Sequence, residues 1–358
     1  MDLLEEMELP SGPCFIYGNH SNNYDPFILN AFTRLGEATA GVMTMEYLKA
    51  GPLAKLFSAA GIVGTKKRVP EPHLIRKIWR MLDQGRRVVI FPEGGRRWDG
   101  RPAPWIESTA KLFMRAGVPV YPVEIIGSYV AWPRWAQWPR PARIRLKVHD
   151  AVDFSDSPSL EEGIERLKYP IQQDENVVPD EVAPHRAFRP AAGIDRLLYR
   201  DPTSGMFGGL NVTSGSTLSS TSSGLTWRVN PDSTLTDLST GEKQYSADFY
   251  ARLRALPLPS DSAKAITQGD GDVIIESDEI TSDKVRNVLR NVQCALWSDR
   301  VEIGDLIYGL DQIRYMGLER SDRVWFMTGS EQVKIQLNSS SVLAWYDVLT
   351  QLAPHINS

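Results

Sequence analysis

His20 and Asp25 stand five positions apart in the run Asn19-His20-Ser21-Asn22-Asn23-Tyr24-Asp25-Pro26. A histidine and an aspartate this close across a turn make a base held by a carboxylate. The short apolar run Phe15-Ile16-Tyr17 ahead of them reads as a buried strand. Pro26 suits the first position of a helix, which makes Asp25 its N-cap. The imidazole then lies at a strand end, and the carboxylate at the positive end of a helix, which favours its ionised form. An ionised Asp25 accepting from one ring nitrogen leaves the other to take a proton. Plain turn chemistry is the alternative for the pair taken alone.

A second polar cluster follows Val88-Val89-Ile90-Phe91. The β-branched run ends in Pro92-Glu93-Gly94-Gly95-Arg96-Arg97, so polar residues emerge at the end of a buried strand. Gly94 and Gly95 allow close backbone approach and present N–H groups. Arg96 offers a planar fork that fits phosphate, or else it is an exposed loop cation. A third segment runs from Gly117 to Gly127 and is apolar, with prolines at 119 and 122. Two prolines predict a strand start, an edge or a bulge rather than a regular inner strand. The fourth, Gly61-Ile62-Val63-Gly64-Thr65-Lys66-Lys67-Arg68, is a short apolar run ending in three cations. It is either a solvated charge cluster or an anion contact.

Taken together and in this order, the four segments resemble the glycerolipid acyltransferase family, of the 1-acyl-glycerol-3-phosphate acyltransferase type. That family's first block is Asn-His-x4-Asp, matched by Asn19, His20 and Asp25. Its third is Phe-Pro-Glu-Gly-Thr-Arg, matched by Phe91, Pro92, Glu93, Gly94 and Arg96, with Gly95 in place of Thr. The fourth, Val-Pro-x-x-Pro, is matched by Val118, Pro119 and Pro122. The second, Gly-x-x-Phe-x-x-Arg, is met in part: Gly61 fits, Gly64 replaces Phe and Lys67 replaces Arg. The resemblance spans residues 10 to 200.

The resemblance implies a mechanism. His20 is the general base on a hydroxyl of the acceptor, and Asp25 orients its ring. The alkoxide attacks the thioester carbonyl of an acyl-CoA or acyl carrier protein donor. The oxyanion needs N–H donors or an ordered water. Glu93, Gly94, Gly95, Arg96, Lys66 and Lys67 then line the substrate site, with Arg96 preferred over Lys67 for the acceptor's phosphate. No cofactor and no metal enters this scheme. A non-catalytic lipid-binding or membrane scaffold protein is the rival reading, and the intact set of His20, Asp25 and Glu93 argues against it.

The elements that must position these residues alternate. Strands are predicted near Cys14–Tyr17, Gly41–Thr44, Val88–Phe91, Val118–Ile126 and Ile144–Val148. Helices are predicted over Pro26–Leu35, Glu46–Ala59, Glu71–Gln84 and Pro104–Ala116. Leu74, Ile75, Ile78, Trp79 and Leu82 fall at helical spacing. This alternation predicts an α/β domain with a mainly parallel sheet and flanking helices over residues 1–200. Ligands of such sheets lie beyond the strand ends, where His20 and Glu93 both fall.

Composition sets the wider frame. The chain has 358 residues, which predicts two or three domains. Cys14 and Cys294 give neither a metal spacing nor a disulfide framework. The acidic start carries no signal-peptide pattern, and no apolar run approaches the ~20 residues needed to span a bilayer. The expectation is a cytoplasmic protein held peripherally on membrane. The net charge is −4, with the basic residues weighted towards the first 150 positions. A basic catalytic half suits a membrane surface, a lysophospholipid acceptor and an anionic acyl carrier. No helix of interleaved arginines and aromatics points to nucleic acid. Trp132, Trp135 and Trp138 alternate with prolines and arginines, which predicts either an interfacial loop on lipid or rings packed on the sheet edge.

Residues 201–260 read as a small hairpin unit and linker. Thr213 to Gly224 is rich in Ser, Thr and Gly, and a turn is predicted around Asn230-Pro231-Asp232. The unit resembles a zinc ribbon in shape but has no Cys or His, so no metal is expected there. A helix is predicted over Ser246–Leu256. Residues 261–358 read as a β-rich module with strands around 273–275, 295–297, 301–303, 306–308, 313–316, 324–327 and 333–337. A turn at Gly329-Ser330 and a closing helix capped by Ser340 or Ser341 complete it. Short strands followed by one helix resemble a pleckstrin-homology-like or GRAM-like domain.

Overall fold

The protein is described from a computed structural model covering residues 11–32, 39–44, 62–65, 72–259, 261, 263–277, 285–329, 331–338 and 340–356. The predicted helix over 46–59 lies outside the described residues. Two compact units emerge: Met1–Arg134 with Pro139–Arg186, and Trp135–Trp138 with Ala187–Ser358. The division therefore falls at Arg186 rather than at residue 200, and it does not separate 201–260 from 261–358.

The first unit is built on β1 (Cys14–Gly18), β2 (Thr39–Thr44), β3 (Ile62–Thr65), β4 (Arg87–Ile90), β5 (Val120–Ile126) and β6 (Arg145–Val148). They form one sheet in the order β3-β2-β4-β1-β5-β6. All pairings are parallel except β5 with β6. The strand β3 extends this sheet beyond the sequence expectation. Its four residues are too few for a period-2 signal.

Alternation along the strands explains the two packed faces. Phe15, Tyr17, Val88, Ile90 and Val120 point to one side. There they meet Ile78, Met81 and Leu82 of the helix Pro72–Asp83 and Ala110, Leu112 and Phe113 of the helix Glu107–Met114. Cys14, Ile16, Val89, Val123 and Ile125 point to the other side, against Ile28 and Leu29 of the helix Asp25–Phe32. Burial on both faces is what a parallel sheet requires.

Proline placement corrects one expectation. β5 is an inner strand, with β1 on one side and β6 on the other. Pro119 precedes it and accepts from Phe15 N at 2.9 Å through its carbonyl. Pro122 sits within it, opposite Tyr17. Its carbonyl accepts from His149 N at 3.0 Å, so its ring nitrogen faces the β6 side, just past the last ladder pair, Val123 with Val148. The missing N–H is lost where the ladder has already ended.

The second unit carries a five-stranded antiparallel sheet in place of the expected linker and hairpin. Its strands are β7 (Leu210–Ser214), β8 (Thr217–Ser220), β9 (Thr226–Val229), β10 (Thr234–Asp237) and β11 (Lys243–Tyr245). Leu210, Leu218, Trp227 and Leu235 supply one large buried side chain to each of the first four strands. The turn after Asp201 is held by its carboxylate, which accepts from the Ser220 and Ser222 hydroxyls and from Thr203 and Ser204 N–H. Burial opposes that charge, yet these hydrogen bonds outweigh it and hold Asp201 down to about 2. The helix Ser246–Ala255 follows as predicted.

Beyond it, strands β12 (Thr267–Ser277), β13 (Val285–Leu296), β14 (Arg300–Ile303), β15 (Leu306–Gly309), β16 (Tyr315–Glu319), β17 (Arg323–Met327) and β18 (Glu331–Leu337) form one antiparallel sheet. Its order is β15-β14-β13-β12-β18-β17-β16. The closing helix Val342–Leu352 is capped by Ser341, whose hydroxyl accepts from Ala344 N at 3.3 Å. Asp347 of that helix accepts from the Tyr199 and Tyr250 hydroxyls at 2.8 and 2.5 Å.

Candidate active site

β1 and β4 are parallel neighbours, so the segments leaving their C-terminal ends emerge side by side. His20 follows the first and Glu93 the second. Asn19 ties the first segment to β5: its Nδ2 donates to Ile125 O at 2.9 Å, and its Oδ1 accepts from Ile125 N at 2.7 Å. The side chain thereby continues the ladder for one more step and sets the direction in which His20 leaves the sheet.

His20 Nδ1 lies 2.9 Å from Asp25 Oδ2. Asp25 is completely buried, whereas His20 keeps 16% of its side-chain surface exposed. The same Oδ2 accepts from Ser21 N at 2.7 Å and Asn22 N at 2.9 Å. Asp25 Oδ1 accepts from the Ser128 hydroxyl, which itself accepts from Asn22 Nδ2 at 2.8 Å. The carboxylate is thus surrounded by donors. Facing it, Nδ1 must carry the ring proton, which leaves the lone pair on Nε2. Phe91 stacks on the imidazole at 4.4 Å between centroids and fixes its plane.

The Asp25 carboxylate turns back to the N–H groups of Ser21 and Asn22, which precede it in the chain. The turn and the base are thus one hydrogen-bonded unit.

Glu93 and Arg97 form a buried pair under this turn. Arg97 Nε donates to both Glu93 oxygens at 2.9 and 3.0 Å, and Nη2 to Oε1 at 2.6 Å. Arg97 Nη1 also donates to Glu175 Oε1 at 3.0 Å. The backbone N–H of Arg97 donates to His20 O at 2.8 Å, which joins the two segments directly. Burial pushes the Glu93 carboxyl up against the opposing pull of Arg97. Burial likewise pushes Glu175 up to about 7 against the opposing pull of Arg97 and the Ser21 hydroxyl, and the nearby Asp25 adds to the rise. Arg97 is held charged: its two carboxylate partners outweigh its burial.

The predicted substrate residues are placed in different ways. Glu93 is buried in an ion pair with Arg97, which ties the two ends of the loop together. Gly94 has φ +64° and packs against Ile106, so a side chain there meets both backbone strain and a collision. Gly95 and Arg96 are half-buried in the same loop. Arg96 O accepts from Arg134 Nη1 at 2.9 Å. Lys66 and Lys67 lie outside the described residues, as does Gly61. Of the three tryptophans, Trp132 is half-buried beside Tyr24, Trp135 is fully buried and Trp138 is 43% exposed. Trp135 therefore offers no ring to a membrane, because it is enclosed by protein.

Sequence reasoning missed Arg97, Glu175, Ser21 and Ser128. Arg97 stands next to Arg96, and only the loop geometry selects which one turns inward. Glu175 is 154 residues from Ser21, whose hydroxyl donates to it at 2.6 Å. No spacing signal links positions so far apart. Among the described residues, no group of three or more His, Cys, Asp or Glu could hold a metal ion. No described helix is long and apolar enough to cross a membrane.

Residues 4–126 match the family model described as Acyltransferase. A 1-acyl-sn-glycerol-3-phosphate acyltransferase of Limnanthes alba is 24% identical over 141 residues, covering 38% of this chain and 50% of that protein. One from Pseudomonas aeruginosa is 28% identical over 137 residues, covering 37% and 51%. A chloroplastic one from Brassica napus is 25% identical over 127 residues, covering 35% and 36%. The chain thus spans about half the length, or less, of these curated relatives. The crystal structure of the 1-acyl-sn-glycerophosphate acyltransferase PlsC from Thermotoga maritima aligns at 22% identity with a TM-score of 0.41, over 47% of this chain and 66% of that one.

Proposed function

We propose, from a glycerolipid-type acyltransferase domain in the first part of the chain, that this protein is an O-acyltransferase acting on a lysophospholipid. It moves a fatty acyl group from an acyl thioester to a free hydroxyl, with 1-acyl-glycerol-3-phosphate as the first-choice acceptor. The observation that carries this reading is the 2.9 Å contact between His20 Nδ1 and a fully buried Asp25 at the ends of parallel strands.

The chemistry follows from that contact. His20 Nε2 takes the proton of the acceptor hydroxyl as its oxygen attacks the thioester carbon. Asp25 stabilises the imidazolium that forms. The tetrahedral intermediate collapses, the C–S bond breaks, and His20 returns the proton to the departing thiolate. No covalent acyl-enzyme is needed, so no nucleophilic cysteine is required. Both cysteines are buried, which accords with this route. A positioned base of this kind contributes ~10²–10⁴-fold in rate.

Arg96, next in the loop after Gly94 and Gly95, is the cation proposed for the acceptor's phosphate, with Lys66 and Lys67 as further candidates. The donor is acyl-CoA or acyl carrier protein. The exposed ring of Trp138 supports peripheral contact with lipid. The seven antiparallel strands and closing helix of the second unit support the pleckstrin-homology-like reading of that module.

An acceptor panel tests the proposal. Purified protein is given acyl-CoA or acyl carrier protein with lysophosphatidic acid, other lysophospholipids, or no acceptor, and thiol release is followed. Release that depends on lysophosphatidic acid supports the reading. Transfer only to another lysophospholipid changes the acceptor. Thioester left intact with both donors and every acceptor returns the chain to the lipid-binding scaffold class.

A further inference from the structure

Glu175 lies outside the four motif segments and outside the matched residues 4–126, yet it is buried beneath the turn that carries His20. Its Oε1 accepts from the Ser21 hydroxyl at 2.6 Å and from Arg97 Nη1 at 3.0 Å. Its Oε2 accepts from Tyr129 N at 3.3 Å. Each of these donors is one step from the base. Ser21 follows His20 in the chain, and its N–H donates to Asp25. Arg97 N–H donates to the His20 carbonyl. Tyr129 follows Ser128, whose hydroxyl donates to Asp25. One carboxylate thus gathers three supports that arrive from three separate parts of the chain.

We propose that Glu175 is a positioning residue for the His20–Asp25 base, holding through Ser21, Arg97 and Tyr129 the turn in which ring and carboxylate meet. The kinetic part of this role rests on the acyl-transfer reading; the geometric part does not. A group that fixes the supports of a base acts on the attack geometry, and small displacements there cost rate without touching the bound acceptor.

The charged groups that act on Glu175 are Asp25 on the turn and Arg97 on the loop after β4. Asp174 beside it is paired with Arg101 at 3.3 Å. Arg97 is shared between two glutamates, and Glu175 is raised to about 7, so its part below that pH is to accept from Ser21, Arg97 and Tyr129. Replacing it by glutamine keeps the size and an acceptor for Ser21 but puts an amide NH2 where Oε2 accepts from Tyr129 N, which loosens the turn around Asp25. The imidazolium of His20 then loses support.

The test compares wild type, E175Q and S21A by NMR titration of the His20 ring and by acyl-transfer kinetics. In E175Q the His20 midpoint is expected about half a pH unit lower, a modest shift for an Asp25 contact that is loosened rather than removed. The turnover number is expected to fall roughly tenfold, with KM for the acceptor within about a factor of two. S21A removes the Ser21 hydroxyl that Glu175 holds and loosens the same turn, so its midpoint moves the same way and it serves if E175Q does not fold. Coincident His20 titrations in the wild type and the folded variants overturn the proposal, whatever happens to the thermal midpoint. If wild type transfers no acyl group at all, the acyl-transfer reading fails, and the His20 titration still decides the role of Glu175.

Discussion

Replacing Arg97 by alanine removes a guanidinium that is 2% exposed and serves two buried carboxylates at once. It also donates to the carbonyls of Ile171 at 3.0 Å and Gln173 at 3.1 Å, so the change strips partners from both sides of the site. Breaking a buried pair from one side typically costs about 3–5 kcal/mol, because the remaining charge is left uncompensated. Here two charges are left, which places the expected loss at the upper end of that range at pH 8. Protonation relieves it. In the variant both glutamates have folded pKa values raised further above their unfolded ones, so the folded state binds more protons than the unfolded state. Its stability then falls as pH rises. The loss relative to wild type should be at least ~1 kcal/mol smaller at pH 5 than at pH 8. Hydrogen exchange at the amides of β1 and β4 is the appropriate assay, because a chain of two compact units need not unfold in one step. A loss below ~1 kcal/mol, or one that does not change with pH, refutes the reasoning that Arg97 is the charge partner of both glutamates.

Three further outcomes follow from the same structure. In wild type, Glu175 is raised to about 7 in the fold, so between its ordinary carboxylate range and pH 7 the folded state holds a proton that the unfolded state has released. Its contribution to stability is fully present below that window and is lost as pH rises through it, by up to about 3 kcal/mol; E175Q should flatten this slope in urea titrations. Gly94→Ala places a Cβ against Ile106 at a backbone φ of +64°, and thermal unfolding should register a loss of about 1–3 kcal/mol. Asp347→Ala leaves the buried Tyr199 and Tyr250 hydroxyls without their acceptor, at a cost of ~2–4 kcal/mol that hydrogen exchange in the helix Val342–Leu352 would detect.

The parts of the site that could be read in advance are those written in local order. His20, Asp25 and the glycine loop after β4 each belong to a short run whose spacing already carries the geometry. The parallel strands were visible for the same reason, since apolar runs bounded by turn residues mark buried strands. What escaped is non-local or ambiguous. Glu175 reaches the turn from the far side of the domain, and a single buried glutamate leaves no pattern. Arg96 and Arg97 are chemically identical neighbours, and the turn alone decides which one faces inward. Pro122 argued against an inner strand, yet its ring faces the point where the β6 ladder ends. The small sheet of β7 to β11 was hidden because each strand is brief and buries few large side chains among Ser and Thr. The long strand β13 was seen only at its end, since Arg286, Asn287, Arg290 and Asn291 interrupt its apolar alternation.

The most direct test measures acyl transfer to lysophosphatidic acid by wild type and His20→Ala side by side, with folding of both verified by hydrogen exchange at β1. A base poised by a buried carboxylate predicts a fall of at least ~10²-fold in turnover, with acceptor binding retained. Turnover by folded His20→Ala at the wild-type rate would contradict the assignment of His20 as the group that accepts the hydroxyl proton.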